Sequence, residues 1–243
     1  VIPCAQPQRF AVAGMGGAEQ VYTINHGELA VVVSDSCADH YPVSRENTLT
    51  HQRVLEFLLP RFTLLPVRFG TQAATAQQVR QAVLVPRYRE FQTWLSYLRG
   101  KQQYGLKVFW RDMAQVYREL AEGHPEIKRW QYMAQKGRPM GRQQLIEAGR
   151  LVEQALLERK KALRQQIMAA LDKYAWKSKT APDYGERMFL NANFLVEETS
   201  QEQFDRQLAL LREQLGDGVH FKYVGPLPPY DFVQIQIDLP GEK

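Results

Sequence analysis

Residues 21–33 read VYTINHGELAVVV and hold the clearest secondary-structure signal in the chain. Two runs of β-branched, aliphatic and aromatic residues flank His26 and Gly27, and glycine readily adopts the positive φ that a tight turn between strands requires. The pattern therefore predicts a β-hairpin with strands at residues 21–24 and 29–33.

The segments that follow the hairpin predict helix and strand in alternation. A helix begins at Ser44, residues 62–69 form an apolar run typical of a buried strand, and residues 75–98 have helical spacing with a kink or break at Pro86. The first strand of the chain is expected to be cut short at Val1. The order β-β-α-β-α indicates a split β-α-β unit of ferredoxin-like type.

The second half of the chain predicts a related unit. Its longest pattern is a helix of about residues 142–178, which would extend roughly 50 Å at about 1.5 Å per residue. The predicted segments are a strand at 104–110, helices at 113–122, 125–134 and about 142–178, a strand at 188–197, a helix at 201–215, and strands at 219–223 and 232–237.

Together these patterns predict an α+β protein made of two ferredoxin-like variant halves, with a long helix in the second. We expect an N-terminal ferredoxin-like domain at residues 1–100. A C-terminal α+β domain, with the long helix and a strand-rich tail, is expected at residues 101–243.

The long helix has an apolar seam at spacings of three and four residues, which is typical of a helix that packs on another element. The seam loses an apolar member at residues 158–161 and then resumes. This interruption favours either an irregularity without functional weight or a point where the helix leaves its domain. The seam members are Leu145, Gly149, Val152, Leu156, Leu163, Ile167, Ala170 and Tyr174.

Charge is strongly segregated along the chain. The 243 residues have a net charge of +5, but residues 61–180 contribute +14 while residues 1–60 contribute −3 and residues 181–243 contribute −6. A basic middle indicates either an acidic or polyanionic partner, or a solvated helix face beside the chain's own carboxylates. The longest aliphatic runs, such as 29–33, are too short for a membrane span, so no membrane partner is expected.

Residue types that support catalysis or metal binding do not occur at the required spacings. The five histidines lack metal-ligand spacing, and the two cysteines, Cys4 and Cys37, form no CxxC motif and predict no disulfide framework in a reducing cytosol. The glycine cluster at 14–17 lacks the lysine and the helix of a phosphate-binding loop. The sequence therefore predicts a protein that is not an enzyme, with no catalytic, cofactor or metal site and no small-molecule substrate.

Nucleic-acid binding is the alternative from another functional class. A ferredoxin-like fold with a basic segment is typical of RNA-recognition modules, which stack bases on aromatic residues of the central strands. The strand at 104–110 contains Tyr104, Phe109 and Trp110 but lacks the glycine and aromatic pattern of such modules. Because Phe109 and Trp110 are adjacent, they face opposite sides of the strand, which favours a packed core.

Five sequence strings, in order along essentially the whole chain, resemble the gas vesicle protein F/L family (GvpF/GvpL). Family members usually have a first strand that enters the position of Val1, and this strand is shortened here. The strings are HQRVLE at 51–56, LPVRFGT at 65–71, GKQQYGLKVFW at 100–110, MFLNANFLV at 188–196 and YVGPLPPYDFV at 223–233.

The resemblance implies a non-enzymatic accessory or minor structural protein of gas vesicle formation, located at the gas vesicle inside the cell. It implies association with the hydrophobic shell protein GvpA and with other accessory proteins, and a role in assisting assembly or preventing aggregation of the shell protein. The alternative remains a cytosolic nucleic-acid-binding module that uses the basic central segment.

Basic side chains are the candidate contacts for a partner. A partner with exposed apolar surface could be held by an amphipathic helix, so the long helix is the candidate surface. Arg68 lies in a predicted buried strand, where a charge needs a partner, and an interdomain ion pair is favoured for it over a partner contact. The candidate residues are Arg68, Arg142, Arg150, Arg159, Lys160, Lys161 and Arg164.

Overall fold

The chain forms two compact units, each with its own four-stranded sheet. The structure is a computed structural model that describes residues 1–17, 20–36, 38, 40–137, 141–233, 235 and 237. Residues 1–103 group with the described residues from 225 onward, and residues 104–224 form the second unit. Residues 225–233, which the sequence prediction assigned to the second domain, thus belong with the first unit.

The sheet of the first unit contains the hairpin that the sequence predicted. Its strands pair antiparallel in the order β1-β4-β3-β2, with the register of the hairpin running from Val21 opposite Ser34 to His26 opposite Leu29. Gly27 supplies the turn with φ +56°. The strands are β1 (Ile2–Pro3), β2 (Arg9–Phe10), β3 (Val21–His26) and β4 (Leu29–Ser34).

Helices cover both faces of this sheet. The helix α1 (Arg45–Leu58) begins at Ser44, whose side chain accepts a hydrogen bond from the Asn47 amide, and its buried residues share a core with Val21. On the opposite face, the ring of Tyr88 packs edge-on against His26 at 5.5 Å. Alternate residues of a strand point to opposite faces of a sheet. Val21 and His26 therefore lie on different faces, and the helical residues that contact them cover different faces.

The second helix of this unit is interrupted just before Pro86, as the sequence predicted. It consists of α2 (Ala76–Gln78), a π-helical stretch (Val79–Leu84) and α3 (Val85–Leu98), and the Val85 amide donates to the Arg80 carbonyl five residues earlier. Proline lacks an N–H, and its ring clashes with the carbonyl four residues before it. A wider π turn removes that clash without ending the helix.

The strand predicted at residues 62–69 is wrong. Leu65 and Val1 do exchange two backbone hydrogen bonds, at 2.8 and 2.7 Å, and Leu64 and Leu65 are buried. In such an antiparallel pair the next hydrogen-bonding position would be Pro3, which has no N–H to donate, so the ladder extends no further. The apolar run therefore reports burial correctly, but it does not form a regular strand.

The second unit has the topology of a split β-α-β fold. Its strand order is β6-β7-β5-β8, with the helices inserted between β5 and β6 and between β7 and β8. The elements are β5 (Lys101–Trp110), α4 (Met113–Gly123), α5 (Pro125–Gln135), α6 (Arg142–Leu171), β6 (Lys177–Thr180), β7 (Met188–Glu197), α7 (Gln201–Leu215) and β8 (Val219–Leu227).

The long helix is shorter than the sequence predicted. Helix α6 ends at Leu171 instead of about residue 178, and residues 177–180 form the edge strand β6. The chain leaves the helix because the Trp176 amide donates to the Leu195 carbonyl at 2.8 Å, which begins the pairing of β6 with β7. The four residues of β6 are all polar, so their sequence shows no alternation of apolar and polar residues that would predict a strand after the helical pattern.

The last strand, predicted at residues 232–237, is also wrong within the described residues. Phe232 lies in a turn, and its amide donates to the Pro229 carbonyl at 3.1 Å. Positions 234 and 236 lie outside the described residues. The segment packs on the first unit instead, where Phe232 and Val233 are buried.

Both units mix helices with an antiparallel sheet, which confirms the predicted α+β class. The strand β7 and the helix α7 match the predicted bounds, and the kinked helix and the hairpin occur where they were expected. The differences are the strands predicted at 62–69 and 232–237 and the end of α6, where four polar residues form β6 instead.

Replacing Gly27 by alanine is expected to destabilise the chain by about 1–2 kcal/mol, since the alanine backbone would have to hold the left-handed φ of +56°. Its Cβ would also lie 2.7 Å from the Tyr88 hydroxyl oxygen. Gly149 of α6 has no neighbour within 4 Å of such a Cβ, so Gly149→Ala should stabilise by about 0.5–1 kcal/mol. Urea unfolding of both variants would test this, and equal effects would contradict it.

Candidate partner-binding surface

The described residues hold no arrangement that would suggest metal chemistry. Among them, no three or more histidine, cysteine, aspartate or glutamate side chains lie together where they could hold a metal ion. In the same part of the chain, no helix is both long and apolar enough to cross a membrane.

The aromatic residues of β5 do not form a base-stacking platform. Tyr104 and Trp110 are 3% and 2% exposed, and the Tyr104 ring stacks on Tyr223 and Phe204 at 5.4 and 6.4 Å. Burial raises the pKa of Tyr104 to about 12. These rings belong to the core of the second unit, as the adjacent positions of Phe109 and Trp110 favoured.

Lys160 is buried, although the sequence nominated it as a surface contact. Its side chain is 9% exposed, its Nζ donates to the Met188 carbonyl at 2.7 Å, and it lies 5.8 Å from the centroid of the Trp110 ring. Burial lowers the pKa of this ammonium, and the nearby Asp183 and Glu186 partly offset the effect. Lys160 is thus a structural residue of the second unit.

This burial explains the interruption of the apolar seam. Leu156, Lys160, Ile167 and Leu171 are all buried on α6, with Leu163 partly buried between them. Their spacing of three and four residues is continuous once Lys160 is counted as a member. The ammonium is accommodated by one carbonyl and one aromatic ring, so the helix remains packed through residues 158–161.

Two further nominated arginines are paired within the same unit. Arg159 forms an ion pair with Glu119 of α4, and this pairing lowers the pKa of the carboxyl group. Arg164 forms an ion pair with Asp183 and donates from Nε to the Phe189 carbonyl at 3.0 Å. Two of the four cations at 159–164 are therefore neutralised by carboxylates of the same unit, in line with the alternative explanation of the charge.

The loop between β6 and β7, which no sequence pattern indicated, holds the partner of Arg164 and two further paired residues. Asp183 forms the ion pair with Arg164, and Glu186 accepts a hydrogen bond from the Tyr117 hydroxyl. Arg187 donates to the carbonyls of Trp110 and Arg111, both at 3.0 Å. The acidic residues at 183 and 186 were the only available sequence signal, and their partners are distant in the chain.

The other four nominated residues are exposed. Arg150 pairs with Glu147 one turn earlier on α6, at 2.9 Å, while Arg142 and Lys161 lie on the same helix and form no ion pair with any described residue. Arg68, in the first unit, is also exposed and forms no ion pair with the residues that the structure describes. The ion pair favoured for Arg68 is therefore absent from the described part of the chain.

The N-terminal part of α6 exposes apolar side chains. Leu145 and Ile146 are 56% and 63% exposed, and Tyr132 of the neighbouring helix α5 is 56% exposed. Leu145 continues the seam through Val152 to the buried Leu156, so the apolar stripe extends beyond the core that buries its other members. The sequence identified Leu145 as a seam residue but did not indicate that its side chain is exposed to solvent.

Comparison with characterised proteins gives matches over nearly the full chain. A family model described as "Gas vesicle synthesis protein GvpL/GvpF" matches residues 1–234. Gas vesicle protein F of Dolichospermum flosaquae is 26% identical over 237 residues, which cover 97% of this chain and 96% of that protein. Gas vesicle protein F of a Streptomyces species is 30% identical over 227 residues, or 92% of each chain.

Solved structures give the same result at the level of the fold. The crystal structure of gas vesicle protein GvpF from an Anabaena species superposes with a TM-score of 0.85 at 25% identity, covering 97% of this chain and 96% of that one. The crystal structure of GvpF from Microcystis aeruginosa gives a TM-score of 0.77 at 24% identity, with 96% of each chain covered.

Lys160 and Lys161 provide a matched test of burial against surface contact. Lys160→Ala is expected to destabilise the chain by about 1–3 kcal/mol, because it removes a charged hydrogen bond and packed methylene groups. Lys161→Ala should change stability by no more than about 0.5 kcal/mol, since Lys161 is exposed. Urea unfolding measures both values. A destabilisation by Lys161→Ala equal to that of Lys160→Ala would contradict this assignment.

Proposed function

Because the chain belongs to the gas vesicle synthesis protein GvpL/GvpF family, as its motifs predicted, we propose that it binds the hydrophobic shell protein and limits its aggregation during assembly. The chain is thus a protein of gas vesicle formation. Its site of action is the gas vesicle inside the cell, where its partners are the shell protein GvpA and other accessory proteins. The proposal concerns a binding role without catalysis.

The exposed apolar end of α6 supports this proposal. A shell protein that lines a gas space needs an apolar face, and such a face aggregates in water unless a partner covers it. Leu145, Ile146 and Tyr132 present apolar area on two adjacent helices, and Leu157 is a further exposed apolar residue of α6. Docking there would bury apolar surface of both proteins.

The size of this surface suits temporary binding. Fully burying a leucine or isoleucine side chain contributes about 1.5–3 kcal/mol, and part of that gain is offset by the entropy lost on association. Two or three partly exposed apolar residues therefore support an affinity weak enough for release. An assembly factor has to release its client to the growing shell.

The remaining exposed cations fit a secondary role in the proposal. Arg142, Arg150 and Lys161 lie on the same helix as the apolar end, and charges at the rim of an interface mainly affect association rate and specificity. Arg68 is a candidate contact in the first unit. Arg159, Lys160 and Arg164 are omitted from the proposed surface because they are engaged within the fold.

The double variant Leu145→Asp with Ile146→Asp is expected to weaken binding of purified shell protein at least about tenfold, since two apolar contacts are replaced by charges. Light scattering should then show shell-protein aggregation that the wild-type chain suppresses. Leu210→Asp is the matched control, because Leu210 is 49% exposed but lies on α7. Wild-type binding by the double variant, with circular dichroism unchanged, would refute the proposed surface.

A further inference from the structure

A groove lies between the first turn of α5 and the middle of α6. Its volume is about 250 Å³, and Ile127, Leu151 and Ala155 line it. Ile127 and Ala155 are buried, while Leu151 is partly exposed. The groove is smaller than the pockets of about 300–1,000 Å³ that hold small molecules, so it is suited to side chains that protrude from another protein.

Two carboxylates stand at the rim of this groove. Glu126 and Glu158 line it and are both exposed, and neither forms an ion pair with any residue in the described ranges. Glu158 accepts a hydrogen bond from the Gln154 side chain at 3.1 Å, which leaves its charge in place. By contrast, Glu119 of α4 and Glu147 of α6 are paired with arginines. The rim therefore has a local negative charge within the basic part of the chain.

We propose that this groove docks an amphipathic helix of a partner protein, with an apolar stripe flanked by lysine or arginine. The apolar stripe would insert side chains against Ile127 and Leu151, and its flanking cations would meet Glu126 and Glu158. This complementarity favours a cationic helix over an acidic one. An apolar stripe alone would fit the floor of the groove but not its rim.

The groove and the exposed apolar end of α6 lie along the same helix. From Ile146 to Glu158 the helix rises about 18 Å at about 1.5 Å per residue, but at about 100° per residue Leu145 and Ile146 point away from the side that lines the groove, so the two are separate surfaces. The groove inference goes beyond the function proposed above and does not use that apolar end. The groove itself is tested without any vesicle protein, so the two proposals fail separately.

The test uses the full chain and two synthetic amphipathic peptides of about 18 residues, long enough for several helical turns. One peptide has leucine stripes flanked by lysine, and the other has the same leucines flanked by glutamate. Fluorescence anisotropy at near-physiological salt should show binding of the lysine peptide by the wild-type chain. The glutamate peptide should bind at least about tenfold more weakly, because the rim charges repel it.

Charge reversal at the rim separates the groove from other acidic sites. Glu126→Lys with Glu158→Lys should weaken binding of the lysine peptide about tenfold, since two attractions become two repulsions. Glu153→Lys is the matched control, because Glu153 is exposed on α6 but does not line the groove, and it should bind like the wild type. The double variant Glu126→Gln with Glu158→Gln should show an intermediate loss of peptide binding. It provides a second test if the charge-reversed variant does not fold.

Three results would overturn the inference. The first is equal binding of both peptides by the wild-type chain, and the second is an equal loss of binding in the Glu153→Lys control. The third is self-association of the wild-type chain that the rim reversal abolishes, since the groove would then bind a second copy. If the lysine peptide binds as expected while shell protein does not bind the wild-type chain, the groove inference stands and the proposed function fails.

Discussion

The second unit depends on the packing of α6 against its sheet. Leu156, Ile167 and Leu171 supply the buried apolar side of that helix, and Lys160 occupies the position between them. A lysine there costs desolvation unless its ammonium finds partners, and the Met188 carbonyl and the Trp110 ring supply them. The donor reaches a carbonyl of β7, so the same contact joins the helix to the sheet and fixes its position along the strand.

This packing divides α6 into two parts with different roles. Beyond Leu156 the apolar side of the helix is buried, and Arg159 and Arg164 are paired with Glu119 and Asp183. Before Val152, α6 packs beside α5, and the apolar seam of α6 is exposed to solvent at Leu145. The long helix therefore has one half devoted to stability and one half available to partners. The basic segment at 159–164 belongs to the half that packs on the sheet.

The first unit is held by contacts that are distant in the chain. The Tyr88 ring packs against His26, and its hydroxyl accepts a hydrogen bond from the Glu28 amide at the hairpin turn. Tyr230 lies 3.0 Å from His51 Nε2, and Gln103 and Asp231 exchange two hydrogen bonds. Two of the strings that resemble the family, at 51–56 and 223–233, thus meet in this unit. His51 and Tyr230 of these strings contact each other within the unit.

The sequence alone determined the α+β class, the family, and the elements with strong periodicity, such as the hairpin at 21–33 and the strand β7, because local patterns of burial specify them. It located Leu145 and Lys160 on one helix but could not say which is covered. Only the tertiary structure decided that Lys160 is buried, that Leu145 is exposed, and that residues 62–69 form no strand. Burial depends on which distant segments pack together, and a local pattern does not contain that information.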